Sequence, residues 1–118
     1  MFDARGIIAD LDEALSQFGE TVTLTRFTDG PNGTRIPFSV DCQAFVRANA
    51  PQELDPISGD APNTKVIMSP TQIARAQWPG PPQKDDRMLI QGHMANVEIV
   101  SPIFIGGQLV RLDLQCRS

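Results

Sequence analysis

Few side chains in this chain could do chemistry, and their spacing is wrong for most of it. Its 118 residues include a single histidine, His93, and two cysteines, Cys42 and Cys116. A nucleophilic Ser or Cys needs a base beside it, yet His93 follows Gln91-Gly92 in a turn, with no GxSxG elbow and no cysteine nearby in sequence. One imidazole and two distant thiols, without CxxC or HxxxH spacing, are too few to ligate a metal. Carboxylates could act as acid and base, and two groups of them occur, Asp85-Asp86 and Asp10-Asp12-Glu13. The first falls in a turn and the second on the wet side of a helix, so both read as solvated surface. The glycines of Asp29-Gly30-Pro31-Asn32-Gly33 are not followed by GKS or GKT, which leaves a hairpin turn rather than a phosphate cradle. No catalytic, cofactor-binding or metal-ligating residue is assigned, and the chain is not expected to be an enzyme.

Binding and structural roles are what remain, and composition narrows them. The formal charge of −4 argues against a general nucleic-acid binder, whose affinity comes mostly from Lys and Arg neutralising phosphates. An OB-type reader would also need stacking aromatics on a basic groove, and the chain has no tyrosine and one tryptophan. No apolar run approaches the roughly 18 residues of a membrane span. MFDARG lacks the basic start and apolar core of a signal peptide, which points to synthesis in the cytoplasm. In that reducing compartment Cys42 and Cys116, each on the apolar side of a strand pattern, are expected to be core thiols.

The length suits one domain, 1–118, with a helix over 1–19 and a β-barrel over 20–118 that carries a long loop at 48–63. Ten prolines and nine glycines favour short strands and many turns, hence a mainly β fold. Ile7, Ile8, Leu11, Leu15 and Phe18 repeat at helical spacing, with Asp3 as cap and Gly19 closing the helix in the left-handed conformation. A helix this short is marginal alone, so its stripe must dock, either on its own barrel or on a neighbouring subunit. Strand patterns follow at 20–27, 36–46, 64–68, 88–90, around Val97 and Ile99, and at 108–117. In the second of these the even positions from Ile36 to Val46 predict one buried and one wet face. The last strand should bury Val110, Leu112, Leu114 and Cys116 and present Arg111, Asp113 and Gln115. About six strands with short turns predict a small antiparallel β-barrel or sandwich with an N-terminal helix, a short internal helix and a long flexible loop.

The chain is organised around SPTQIARAQWPGPPQKDDRMLIQG, residues 69–92. Ser69 is placed as N-cap, Pro70 at the first helical position, and Gln72 as the third residue of a capping box. Pro79, Gly80, Pro81 and Pro82 then forbid continuation and force a hard turn. Trp78 beside this bend could plug one end of the barrel or anchor a partner in an interface pocket.

The strings SPTQIARAQWPGPP and KDDRMLIQG, followed by a strand pair around Gly106-Gly107 ending in LVRLDLQCR, resemble the small head-tail joining proteins of long-tailed bacteriophages. The resemblance covers the chain from about Glu20 onward and rests on turn residues and alternating strands. It implies a small barrel with a helix and no active site, located in the virion neck. There it would form a ring of its own copies between the portal-adaptor ring on the head side and the tail terminator or tail tube on the other. Some such proteins are stoppers that retain packaged DNA, which passes the channel without specific binding. The family's loop toward partners or the channel maps onto 48–63, with Glu53, Leu54, Asp55, Ile57 and Asp60 as its working residues. Trp78, Pro79 and Arg111 are further candidate interface residues. A tail terminator, a minor tail component, or a small barrel binding nucleic acid or a host protein are the alternatives.

Overall fold

The computed structural model describes residues 3–48, 64–78 and 80–117. The element order is α1 (Ala4–Phe18), β1 (Glu20–Asp29), β2 (Arg35–Ala48), β3 (Thr64–Met68), α2 (Pro70–Arg75), β4 (Arg87–Ile90), β5 (His93–Ile105) and β6 (Gln108–Arg117). A single turn of 3-10 helix, Pro31–Gly33, sits between β1 and β2. The six strands close into an antiparallel barrel in the order β1-β2-β3-β6-β5-β4, with β4 returning to β1.

Alternation in the strands builds the interior. Inward residues meet across the ladders as Val22 with Cys42, Leu24 with Met88, Met68 with Leu112, and Val66 with Leu114. All of these are buried, and each large apolar one contributes on the order of 1.5 to 3 kcal/mol relative to exposure. Both cysteines belong to this core as free thiols. Burial pushes the Cys42 thiol up to about 11, with the nearby Asp41 charge adding to it. Cys116 is pushed up to about 12 by burial and then by Glu98.

Three turn types close the hairpins. Gln91 and Gly92 (φ 51° and 81°) and Gly106 and Gly107 (φ 60° and 81°) each join two strands through consecutive left-handed residues, which match the strands' right-handed twist. Between β1 and β2, Asn32 and Gly33 take positive φ (60° and 75°).

Several sequence expectations are corrected in detail. Gly19 is extended (φ −80°, ψ 172°) rather than left-handed, because the chain passes straight into β1. Glycine is needed there for clearance, since a Cβ would lie 2.5 Å from the Leu15 carbonyl oxygen and 3.1 Å from that of Ala44. Asp3 caps α1 as expected, its carboxylate accepting from the Arg5 N–H at 3.0 Å. Ser69 likewise caps α2 by accepting from the Thr71 N–H. Gln72 makes no capping box: its Oε1 accepts from the Gln43 N–H at 2.6 Å, a β2 donor just beyond the last β3 pair at Ala44. In β5 an irregularity between Val97 and Ile99 shifts the register, so Val100 packs against the core and Ile99 is exposed. That strand also runs to Ile105, leaving only Gly106 and Gly107 as turn.

The α1 stripe docks on its own barrel in part. The helix lies against β6, β2 and α2, and Thr71 Oγ1 donates to Asp12 Oδ2 at 2.7 Å to tie the two helices together. Leu15 is buried, Ile7, Ile8 and Leu11 are half-buried, and Phe18 at the helix end is 76% exposed.

Candidate functional site

The features that could meet a partner lie at one end of the barrel, and unequal strand lengths put them there. β4 pairs with β1 only from Thr23 to Thr25, and β3 pairs with β2 from Ala44 and with β6 from Leu112. Beyond those limits β1–β2 and β5–β6 continue as two-stranded arms. Because every neighbour is antiparallel, the two hairpin turns fall at the same end. In the closed order β1 stands opposite β6 and β2 opposite β5, so the arms rise from opposite sides.

Between the arms the barrel end is closed by Trp78 and the bend that follows it. Trp78 is buried, packs in the core cluster, and lies 5.3 Å from the Phe38 ring centroid, tilted by 58°. Its Nε1–H has no acceptor among the described residues. The Arg26 guanidinium sits 5.1 Å from the indole centroid and grips Asp86 through two parallel bonds, Nε to Oδ1 and Nη2 to Oδ2, both 2.8 Å. Arg26 Nη2 also donates to the Pro81 carbonyl at 3.0 Å, and Asp86 Oδ2 accepts from the Gln83 N–H at 2.8 Å. Asp86 is therefore a buried clasp that ties the bend to β1, which corrects its reading as solvated surface. Asp85, next to it, is exposed with φ 77°. Nothing in the local sequence marks Arg26 as its partner 60 positions away.

Apolar surface flanks this clasp on both sides. On the β1–β2 arm Phe27, Ile36 and Phe38 are exposed, with the Arg35 guanidinium 4.8 Å over the Phe27 ring. This corrects the even-position face of β2, which is fully buried only at Cys42 and Ala44, because no strand or helix covers its upper half. On the other side α1 and the β5–β6 arm enclose a groove of about 350 Å³, with Ile7, Leu11, Ile103, Ile105 and Val110 among its lining residues. Arg111 lines it too, its guanidinium held by Asp113 through two bonds of 2.8 Å. A smaller apolar cleft of about 240 Å³ lies in front of Trp78, bounded by Pro70, Ile73, Ala74, Pro81 and Leu109.

Of the residues singled out from sequence, Trp78 and Arg111 come to this end of the barrel, Trp78 as its plug and Arg111 at the groove. Pro79 and the loop residues Glu53, Leu54, Asp55, Ile57 and Asp60 lie outside the described residues. His93 is exposed at the opposite end, in the turn between β4 and β5. Among the described residues no three His, Cys, Asp or Glu side chains converge on a point that could hold a metal ion, and no helix is long and apolar enough to cross a membrane.

No family model and no curated protein matches the chain. The arrangement itself suits adhesion to protein: apolar side chains on a rigid frame, a groove with a charged rim, and no converging polar groups to act on a substrate. The exposed half of β2 was the feature least visible from sequence, where its alternation looked like a core strand. The signal that could have found it was length, since β2 has 14 residues and its neighbour β3 only 5.

Proposed function

We propose that this chain is a non-enzymatic structural protein of the bacteriophage neck, stopper-like, joining the portal-adaptor ring to the tail and helping to retain packaged DNA. The observation that carries the reading is how the stretch behind the resemblance folds. Residues 69–78 and 80–92 form one unit, a capped helix, a clasped bend and strand β4, that closes the end of a small barrel. A joining protein needs a frame that does not deform when partners bind, and a buried bidentate ion pair at the root of an apolar arm supplies one. It also needs surface left uncovered until assembly, which the two arms offer. The charge of −4 suits DNA that passes without being held. In this reading the chain makes a ring of its own copies, with adaptor on one side and tail terminator or tail tube on the other.

The test is electron microscopy of particles assembled without the chain. DNA-filled or leaking heads that lack tails, restored to tailed particles by adding the purified protein, are expected. Normal numbers of tailed particles in its absence would overturn the reading. Isolated heads should carry the protein and isolated tails should not; the reverse would make it a tail terminator.

A further inference from the structure

We propose that the β1–β2 arm of one copy seats in the groove between α1 and the β5–β6 arm of the next, a head-to-tail contact whose use in a ring rests on the neck reading above. Each surface is apolar and uncovered. The arm offers Ile36, 48% exposed, with Phe27 and Phe38 beside it, and the groove offers Leu11, Ile103 and Ile105. A two-stranded ribbon with apolar side chains on both faces is marginal in water, so this arm gains from being covered.

The occupant is a second copy because the two surfaces are complementary to each other and not to themselves. The helix bordering the groove carries Asp3, Asp10, Asp12 and Glu13 against one base, Arg5. The arm carries Arg26 and Arg35 against one acid, Asp29, and Arg26 is already committed to Asp86, so Arg35 is the charge the arm displays. Arm on arm would oppose Arg35 to Arg35, and groove on groove would oppose one acidic helix to another. Arm on groove brings Arg35 to the α1 carboxylates, which favours that pairing and rejects the others. The position of the surfaces completes the case. They rise from opposite sides of one barrel end, so each contact leaves one arm and one groove open for the next copy. A contact of that kind closes into a ring or extends as a chain.

Two variants outside the core test this, Ile36→Asp in the arm and Ile105→Asp in the groove, with Trp78 fluorescence confirming that each is folded. Sedimentation velocity of the full-length chain, taken to its solubility limit, should show wild-type self-association, weakened at least about tenfold in either variant alone. An equimolar mixture of the two should pair and stop at the dimer, because only one intact arm and one intact groove can meet. A wild type that stays monomeric to the limit overturns the contact. So does a mixture no more associated than its components, or a variant that associates like wild type. Binding of the monomer to isolated adaptor rings, lost with Ile36→Asp, would give the arm to a different protein. These measurements use only purified components, so they can fail while the neck reading stands, and the particle experiment above can fail while the contact stands.

Discussion

In β6, Val110, Leu112, Leu114 and Cys116 are all buried, while in β2 the same alternation from Ile36 to Val46 is fully buried only at Cys42 and Ala44. The two strands belong to the same barrel and have comparable side chains. What differs is their surroundings: β6 has α1 over its first half and β3 beside its second, whereas the first half of β2 pairs with β1 alone. Alternation tells which side chains share a face. Whether anything sits on that face is decided by the lengths of other elements.

The largest effect should come from the clasp at the root of the β2 arm. Asp86→Ala leaves Arg26 buried without its partner and the Gln83 N–H without an acceptor, and should cost about 3 to 5 kcal/mol in a urea melt. An unchanged midpoint would mean that the arm and bend are held by packing alone. Next, Leu112→Ala in β6 should cost about 2 to 5 kcal/mol, and Ile36→Ala in β2 no more than about 0.5, since only the first empties a filled site. Equal costs would erase the distinction between the strands. The same contrast exists inside α1, where Leu15→Ala should cost about 2 to 5 kcal/mol and Phe18→Ala again about 0.5 or less. If the monomer tolerates Leu15→Ala, the helix is not seated on its own barrel.

A smaller effect should appear with pH, at the thiols of the two strands. Each thiol binds its proton more tightly in the folded protein than in the unfolded chain, from an ordinary value of 9.0 to about 11 for Cys42 and about 12 for Cys116. Their contribution is complete below the unfolded value and is lost as pH rises through and beyond it. Stability should therefore fall between about pH 9 and pH 12 more steeply in wild type than in Cys42→Ala/Cys116→Ala, each referred to its own neutral-pH value. Denaturant melts along that range check this, and parallel curves would remove the thiols from the account. At neutral pH a thiol reagent should react with the folded protein only at its rate of opening.

The architecture was readable from the sequence because its cues are local. Asp3 and Ser69 as caps, Gly92 and Gly106-Gly107 in turns, and the period-2 run of β6 all act within a few residues. The candidate site was less legible because its parts meet from afar. Arg26 reaches Asp86 across the barrel, Gln72 leaves its own helix to satisfy Gln43, and the shift after Val97 turns Ile99 outward, with no composition signal for any of them. Asp86 was misread for the same reason: a carboxylate in a turn is usually wet unless a distant guanidinium comes to it.

Strand β6 takes its place between β3 and β5, although it follows every other described strand in the chain, and α1 rests partly on it. Until β6 has left the ribosome, β3 and β5 each keep an unpaired edge and the first helix lacks much of its seat. Nascent chains of this protein should thus remain largely unfolded through most of translation, and close slowly once the non-local ladders can form. A product truncated before Gln108 would expose two sheet edges and half of the barrel lining. Chaperones and proteases would recognise it as damaged, so only full-length subunits would accumulate for assembly.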